Sequence, residues 1–160
     1  MTWFLPEKDR TYVSKAKYLD EIATLYGGRV AEEIFFGKDM VTTGASNDIE
    51  RATDIARAMI TRYGFDEELG AENFASDAAN GNYLGSDGGQ KIVGEHTQQK
   101  IDEKVRLLLA GAYQKARSIV EQYQDIHVKV AEKLLEKEEL LAHEFDAFFE
   151  GKEVPAKAIA

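Results

Sequence analysis

The sequence has no cysteine and only two prolines. Without thiols there is no disulfide framework and no thiolate zinc knuckle, which excludes the small secreted disulfide scaffolds. A metal site would have to draw on His, Asp and Glu, and the 160 residues include only three histidines, His96, His127 and His143. The prolines, Pro6 and Pro155, lie near the two ends, so the interior is free of the strongest helix breaker. Basic residues are outnumbered, 20 Lys and Arg against 29 Asp and Glu, and the net charge of −9 disfavours a nucleic-acid binder, whose footprint is a basic face. Apolar runs are short, and none approaches the roughly 20 residues that cross a bilayer. Residues 1–8 lack the basic-then-apolar pattern of a signal peptide. The stretch is therefore expected to be soluble, with no membrane contact and no nucleic acid as partner.

What is present is a globular balance. Hydrophobic residues make up 44% and charged residues 31%, enough to bury the core of one domain of this length. Apolar residues recur at helical spacing nearly throughout. After Thr2–Leu5, which is suited to one short strand, Ser14 is placed to cap a helix over Lys15–Tyr26. Gly27-Gly28 interrupts the pattern, and a second piece, Arg29–Phe36, ends at Gly37. Lys38–Ala45 reads as a loop. Ser46 or Asn47 then caps a helix over Asn47–Tyr63, with Glu50 at the capping-box offset from Asn47. Residues 64–94 are rich in Gly, Asn and Asp and poor in large apolar residues. They predict a long mobile surface loop. From Glu95 an amphipathic helix runs to about Gln124, Asp125 caps a further helix, and Phe145, Phe148 and Phe149 mark a last short one ending at Gly151. The tail 152–160 is expected to fray. The fold class is all-α, a helical bundle over 1–151.

The residues alone assemble no complete active site. No two histidines stand at i and i+4, and His143-Glu144 is followed by Ala147 where the helical zinc motif needs His. The glycines of 81–89 lack the Gly-Lys-Ser/Thr of a phosphate loop. Asp48 stands out. It falls in the first turn of a capped helix, where a carboxylate is stabilised by exposed N–H groups. It also shares a face with Ala52, Ile55 and Met59, so it is expected to point toward the buried side, where a carboxylate must be paired, hydrogen-bonded or metal-bound. Glu32 lies off the stripe of Val30, Ala31, Ile34 and Phe35, and a solvated face is its default.

Two blocks carry a resemblance. One is Leu25-Tyr26-Gly27-Gly28-Arg29-Val30-Ala31-Glu32-Glu33-Ile34-Phe35-Phe36-Gly37. The other is Val41-Thr42-Thr43-Gly44-Ala45-Ser46-Asn47-Asp48-Ile49-Glu50-Arg51-Ala52-Thr53, followed by Ala56-Arg57, Met59 and Tyr63-Gly64. Together they resemble the peptidase domain of the FtsH family of membrane-anchored, ATP-dependent zinc metalloproteases, and the likeness extends from about Thr2 to Gly151. It implies a partial peptidase domain over 1–151. It also implies zinc as cofactor, with Asp48 as the third protein ligand and Glu32 close to the metal site as a support that does not ligate. The two His ligands and the catalytic Glu of the family belong to a His-Glu-x-x-His helix that precedes Thr2–Pro6, and no such motif occurs in this chain; nor does the ATPase domain through which ATP acts. No catalytic residue is therefore assigned here, and the chain by itself is expected to be inactive. The resemblance further implies protein substrates (misfolded, membrane and short-lived proteins), a homo-hexamer, and a parent anchored in a bacterial inner or organellar membrane with the peptidase domain on the cytoplasmic, matrix or stromal side. The alternative is a non-catalytic helical assembly or interaction module.

Overall fold

The computed structural model describes residues 12–74 and 93–151. The suggested strand at Thr2–Leu5, the glycine-rich stretch 75–92 and the tail 152–160 lie outside the described residues. Within them the structure is helical and contains no strand. Helix α1 spans Lys15–Leu25, and Ser14 caps it as expected, its hydroxyl accepting from the Lys17 N–H at 3.2 Å. Helix α2 spans Gly27–Phe36. The glycine pair does not separate the two helices by a loop. Tyr26, in a helical conformation, ends α1 and starts α2, and its carbonyl accepts from the Val30 N–H at 3.0 Å. The glycines form the first turn of α2, and Gly37, at φ 86°, ends it.

The predicted loop 38–45 contains two short 3-10 turns, Lys38–Met40 and Thr43–Ala45. The second runs straight into α3, Ser46–Thr61, and changes how that helix begins. The Ser46 N–H bonds to the Thr43 carbonyl, so neither Ser46 nor Asn47 serves as the side-chain cap. Helix α4 spans Glu95–Gln122, α5 Gln124–Lys137 and α6 Ala142–Ala147; Phe148 and Phe149 fall in the turn after α6.

Helices α1, α3 and α4 pack on one another, with α2 laid against α4. Ile22, Val30, Met59 and Ile101, one from each of these four helices, are fully buried. Each contributes about 1.5–3 kcal/mol by leaving water. Ala52, Ala56, Ala112 and Ala116 are also buried in this core. The α5–α6 end is more open. Tyr123, Ile126, Val130, Leu134, Phe145 and Phe149 line an apolar groove of about 490 Å³.

Residues 64–74, the N-terminal end of the predicted loop, form a non-helical turn. Gly64, at φ 60°, turns the chain back, and the Phe65 and Phe74 N–H groups bond to the carbonyls of Met59 and Thr61. The Asp66 carboxylate accepts from the Glu68 and Leu69 N–H groups, an Asx-type turn. Lys104 and Lys100 of α4 grip Glu68 at 2.6 and 2.9 Å. This double pairing, Lys104 first, draws the Glu68 pKa down to about 2.

Candidate metal centre

Adjacent residues on a helix point roughly 100° apart, so Glu32 and Glu33 of α2 serve different neighbours. Glu32 turns toward the segment after α2. One carboxylate oxygen accepts from the Thr42 N–H at 3.0 Å, the other from the Thr42 hydroxyl at 2.8 Å. The same hydroxyl accepts from the Gly44 N–H at 3.1 Å. The Thr42 N–H is the main cause of a Glu32 pKa below the usual carboxylate value, with the Thr42 hydroxyl next and Arg29 adding a smaller pull. A Cβ at Gly44 would lie 3.2 Å from the Thr42 hydroxyl, so glycine fits this turn closely. Glu32 is partly exposed, and its default as a merely solvated residue is replaced by this two-point clasp.

The turn held by Glu32 leads directly into α3, whose first turn carries Asp48. Asp48 does not face the buried side: it is exposed. The apolar stripe is real, but burial begins one turn later at Ala52, and Ile49 beside Asp48 is 37% exposed. Asp48 makes no hydrogen bond or ion pair among the described residues, so its carboxylate is free to take a ligand.

Glu33 faces α4, a contact that sequence reasoning missed. Its side chain is only 10% exposed. It accepts from the Tyr113 hydroxyl, from Arg29 Nε at 3.0 Å, and lies 3.6 Å from Arg117. The Tyr113 hydrogen bond chiefly lowers its pKa, against burial, while burial and Glu33 together raise that of Tyr113. Tyr113 also meets Tyr26 edge to face at 5.6 Å.

The histidines take no part in this arrangement. His96 and His143 are exposed, and His127 lies against the Phe35 ring at 4.6 Å. Among the described residues no three His, Asp or Glu side chains are grouped to hold a metal ion. Asp48 by itself could contribute carboxylate oxygen to a metal site but could not make a whole one.

The pattern described as peptidase family M41 matches residues 1–148. The chain belongs to peptidase family M41. Its relatives include proteins named ATP-dependent zinc metalloprotease FtsH. That of Streptococcus pneumoniae serotype 4 is 42% identical over 151 residues, covering 94% of this chain and 22% of the relative. That of Photobacterium profundum is 42% identical over 147 residues, 91% and 21%. FtsH 1 of Thermoanaerobacter sp. is 40% identical over 154 residues, 96% and 25%. The chain thus spans about a quarter or less of the curated relatives it matches, and both the Glu32–Thr42 clasp and Asp48 lie inside the region matched by the family pattern.

Proposed function

We propose that this chain is the C-terminal part of the peptidase domain of an ATP-dependent zinc metalloendopeptidase, and that Asp48 supplies the third protein ligand to its zinc. The observation that carries the reading is a free, exposed carboxylate at the start of α3, delivered by a turn that Glu32 clasps at two points. A carboxylate is an ordinary zinc ligand beside two His nitrogens. Bound there, zinc would lower the pKa of a water and polarise the scissile carbonyl. Asp48 holds, and Glu32 orients the turn that presents it. The general base and the His ligands come from outside these residues, so the 160-residue chain alone is inactive. The whole enzyme acts on proteins, misfolded, membrane and short-lived ones among them, as a membrane-anchored hexamer driven by ATP.

The test is a chimera in which this chain replaces the matching quarter of the Streptococcus pneumoniae relative. The chimera should hydrolyse casein with ATP and zinc, while the isolated chain with added zinc stays at background. A chimera that assembles and hydrolyses ATP but cuts no protein would favour an assembly module. Zinc-dependent turnover by the isolated chain would overturn the assignment of the missing groups.

A further inference from the structure

Two hydrogen-bonded networks leave α2 from neighbouring residues, one toward α4 and one toward the turn before Asp48. Helix α2 is short, and its first two residues are glycines with no side chains to anchor it. Val30 is buried in the core, but an apolar contact does not fix the rotation of a helix about its own axis as a directed hydrogen bond does. Such directed contact with α4 comes from Glu33, held by the Tyr113 hydroxyl and flanked by Arg29 and Arg117. Any turn of α2 that loosens Glu33 also swings Glu32, one residue earlier, away from Thr42.

We infer that Tyr113 and Glu33 are positioning residues for the candidate metal centre: by fixing the rotation of α2 they set where Glu32 clasps Thr42, and so how the Thr42–Gly44 turn presents Asp48. The inference rests on the proposed function only for what the turn is used for; the coupling itself is a property of this chain. It gives Tyr113, on α4, an effect at the turn that a local packing residue would not have.

The test is amide hydrogen exchange on the 160-residue chain, wild type against Tyr113→Phe and Glu33→Gln. Phe keeps the ring against Tyr26 and removes only the hydroxyl. Gln keeps the shape of Glu33 and removes its charge toward Arg29 and Arg117, so it serves if the first variant folds poorly. Glu32→Gln, which weakens the clasp directly, sets the reference pattern. The Thr42 and Gly44 N–H groups, both donors in the clasp, should exchange faster in each variant by up to about tenfold, the factor for one lost hydrogen bond. Amides of Met59 and Ile101 in the core should not change. Unaltered exchange at Thr42 and Gly44 in both variants overturns the coupling. Faster exchange there only in step with the core amides also overturns it, since Tyr113 and Glu33 would then merely stabilise the fold. None of these readouts involves zinc or peptide cleavage, so the coupling and the role of Asp48 can fail separately.

Discussion

At the scale of single residues, the proposed site depends on Thr42 as much as on any acid. Its hydroxyl donates to Glu32 and accepts from Gly44, and its own N–H gives Glu32 a second bond. Thr42→Val keeps the shape and removes the hydroxyl. The Glu32 pKa should then rise part of the way toward the ordinary carboxylate value of about 4.3, as read by carboxyl NMR titration; an unmoved value would show that the hydroxyl's share of the clasp has no energetic weight. The sign follows from linkage. A carboxylate whose folded pKa is lowered adds stability above its unfolded pKa and loses it as pH falls through the folded one. Wild type should therefore lose protection at Thr42 in acid below the ordinary carboxylate range, and the variant should lose it at higher pH. These residues differed in how visible they were in the sequence. Asp48 was marked by its place in a helix first turn and by the resemblance, but its side was misjudged, because periodicity says which face is apolar and not where along the helix the core begins. Glu33 gave no local sign. Its partner Tyr113 is 80 positions away in the sequence, and the one available hint was that a tyrosine beside Ala112 and Ala116 on the buried face of α4 needs a partner for its hydroxyl.

At the scale of elements, the stripes of α1, α3 and α4 were legible because 3.6-residue periodicity persists through them. The boundaries were less so, since glycine has several uses. Gly27 and Gly64 show the difference. A Cβ on Gly27 would meet nothing within 4 Å, and its φ is not in the left-handed region. Gly27→Ala should be neutral or stabilise by up to about 1 kcal/mol. Gly64 has φ 60°, and a Cβ there would lie 2.8 Å from the Ala71 backbone. Gly64→Ala should cost about 1–3 kcal/mol from backbone strain alone. Urea denaturation of both variants checks the contrast, and equal effects would contradict these two geometries. The segment behind Gly64 reads as a loop because it is poor in large apolar residues. Its ion pairs to α4 and its Asx-type turn are not revealed by composition. Since Glu68 is drawn from 4.5 down to about 2 by Lys104 and Lys100, this tether should persist at neutral pH and weaken as pH falls from about 4.5 through 2. Glu68→Gln should remove that part of the acid dependence of Gly70 and Phe74 amide exchange; an identical acid profile in the variant would mean that the lysines do not tether the loop.

At the scale of the whole molecule, α1, α3 and α4 form the packed base, and α2 with its turn is the piece mounted on it that leads into the first turn of α3, where Asp48 lies. The fully buried Met59 and Ile101 belong to the base, and replacing either with Ala should cost about 2–5 kcal/mol through lost burial and the cavity left. Such a loss should lower the melting temperature without altering zinc stoichiometry in molecules that remain folded. By contrast, the all-α class and membership of peptidase family M41 say nothing about which carboxylate reaches the metal. The central claim is that Asp48 does. The most direct measurement is the zinc content of the purified full-length chimera carrying Asp48→Asn, since Asn keeps the size and still hydrogen-bonds but is a poor zinc ligand. A folded, ATP-hydrolysing hexamer depleted of zinc and without proteolysis is the expected result. A variant that retains its zinc and most of its peptidase activity would contradict the account and reduce Asp48 to a first-turn carboxylate worth at most about 1 kcal/mol to the helix.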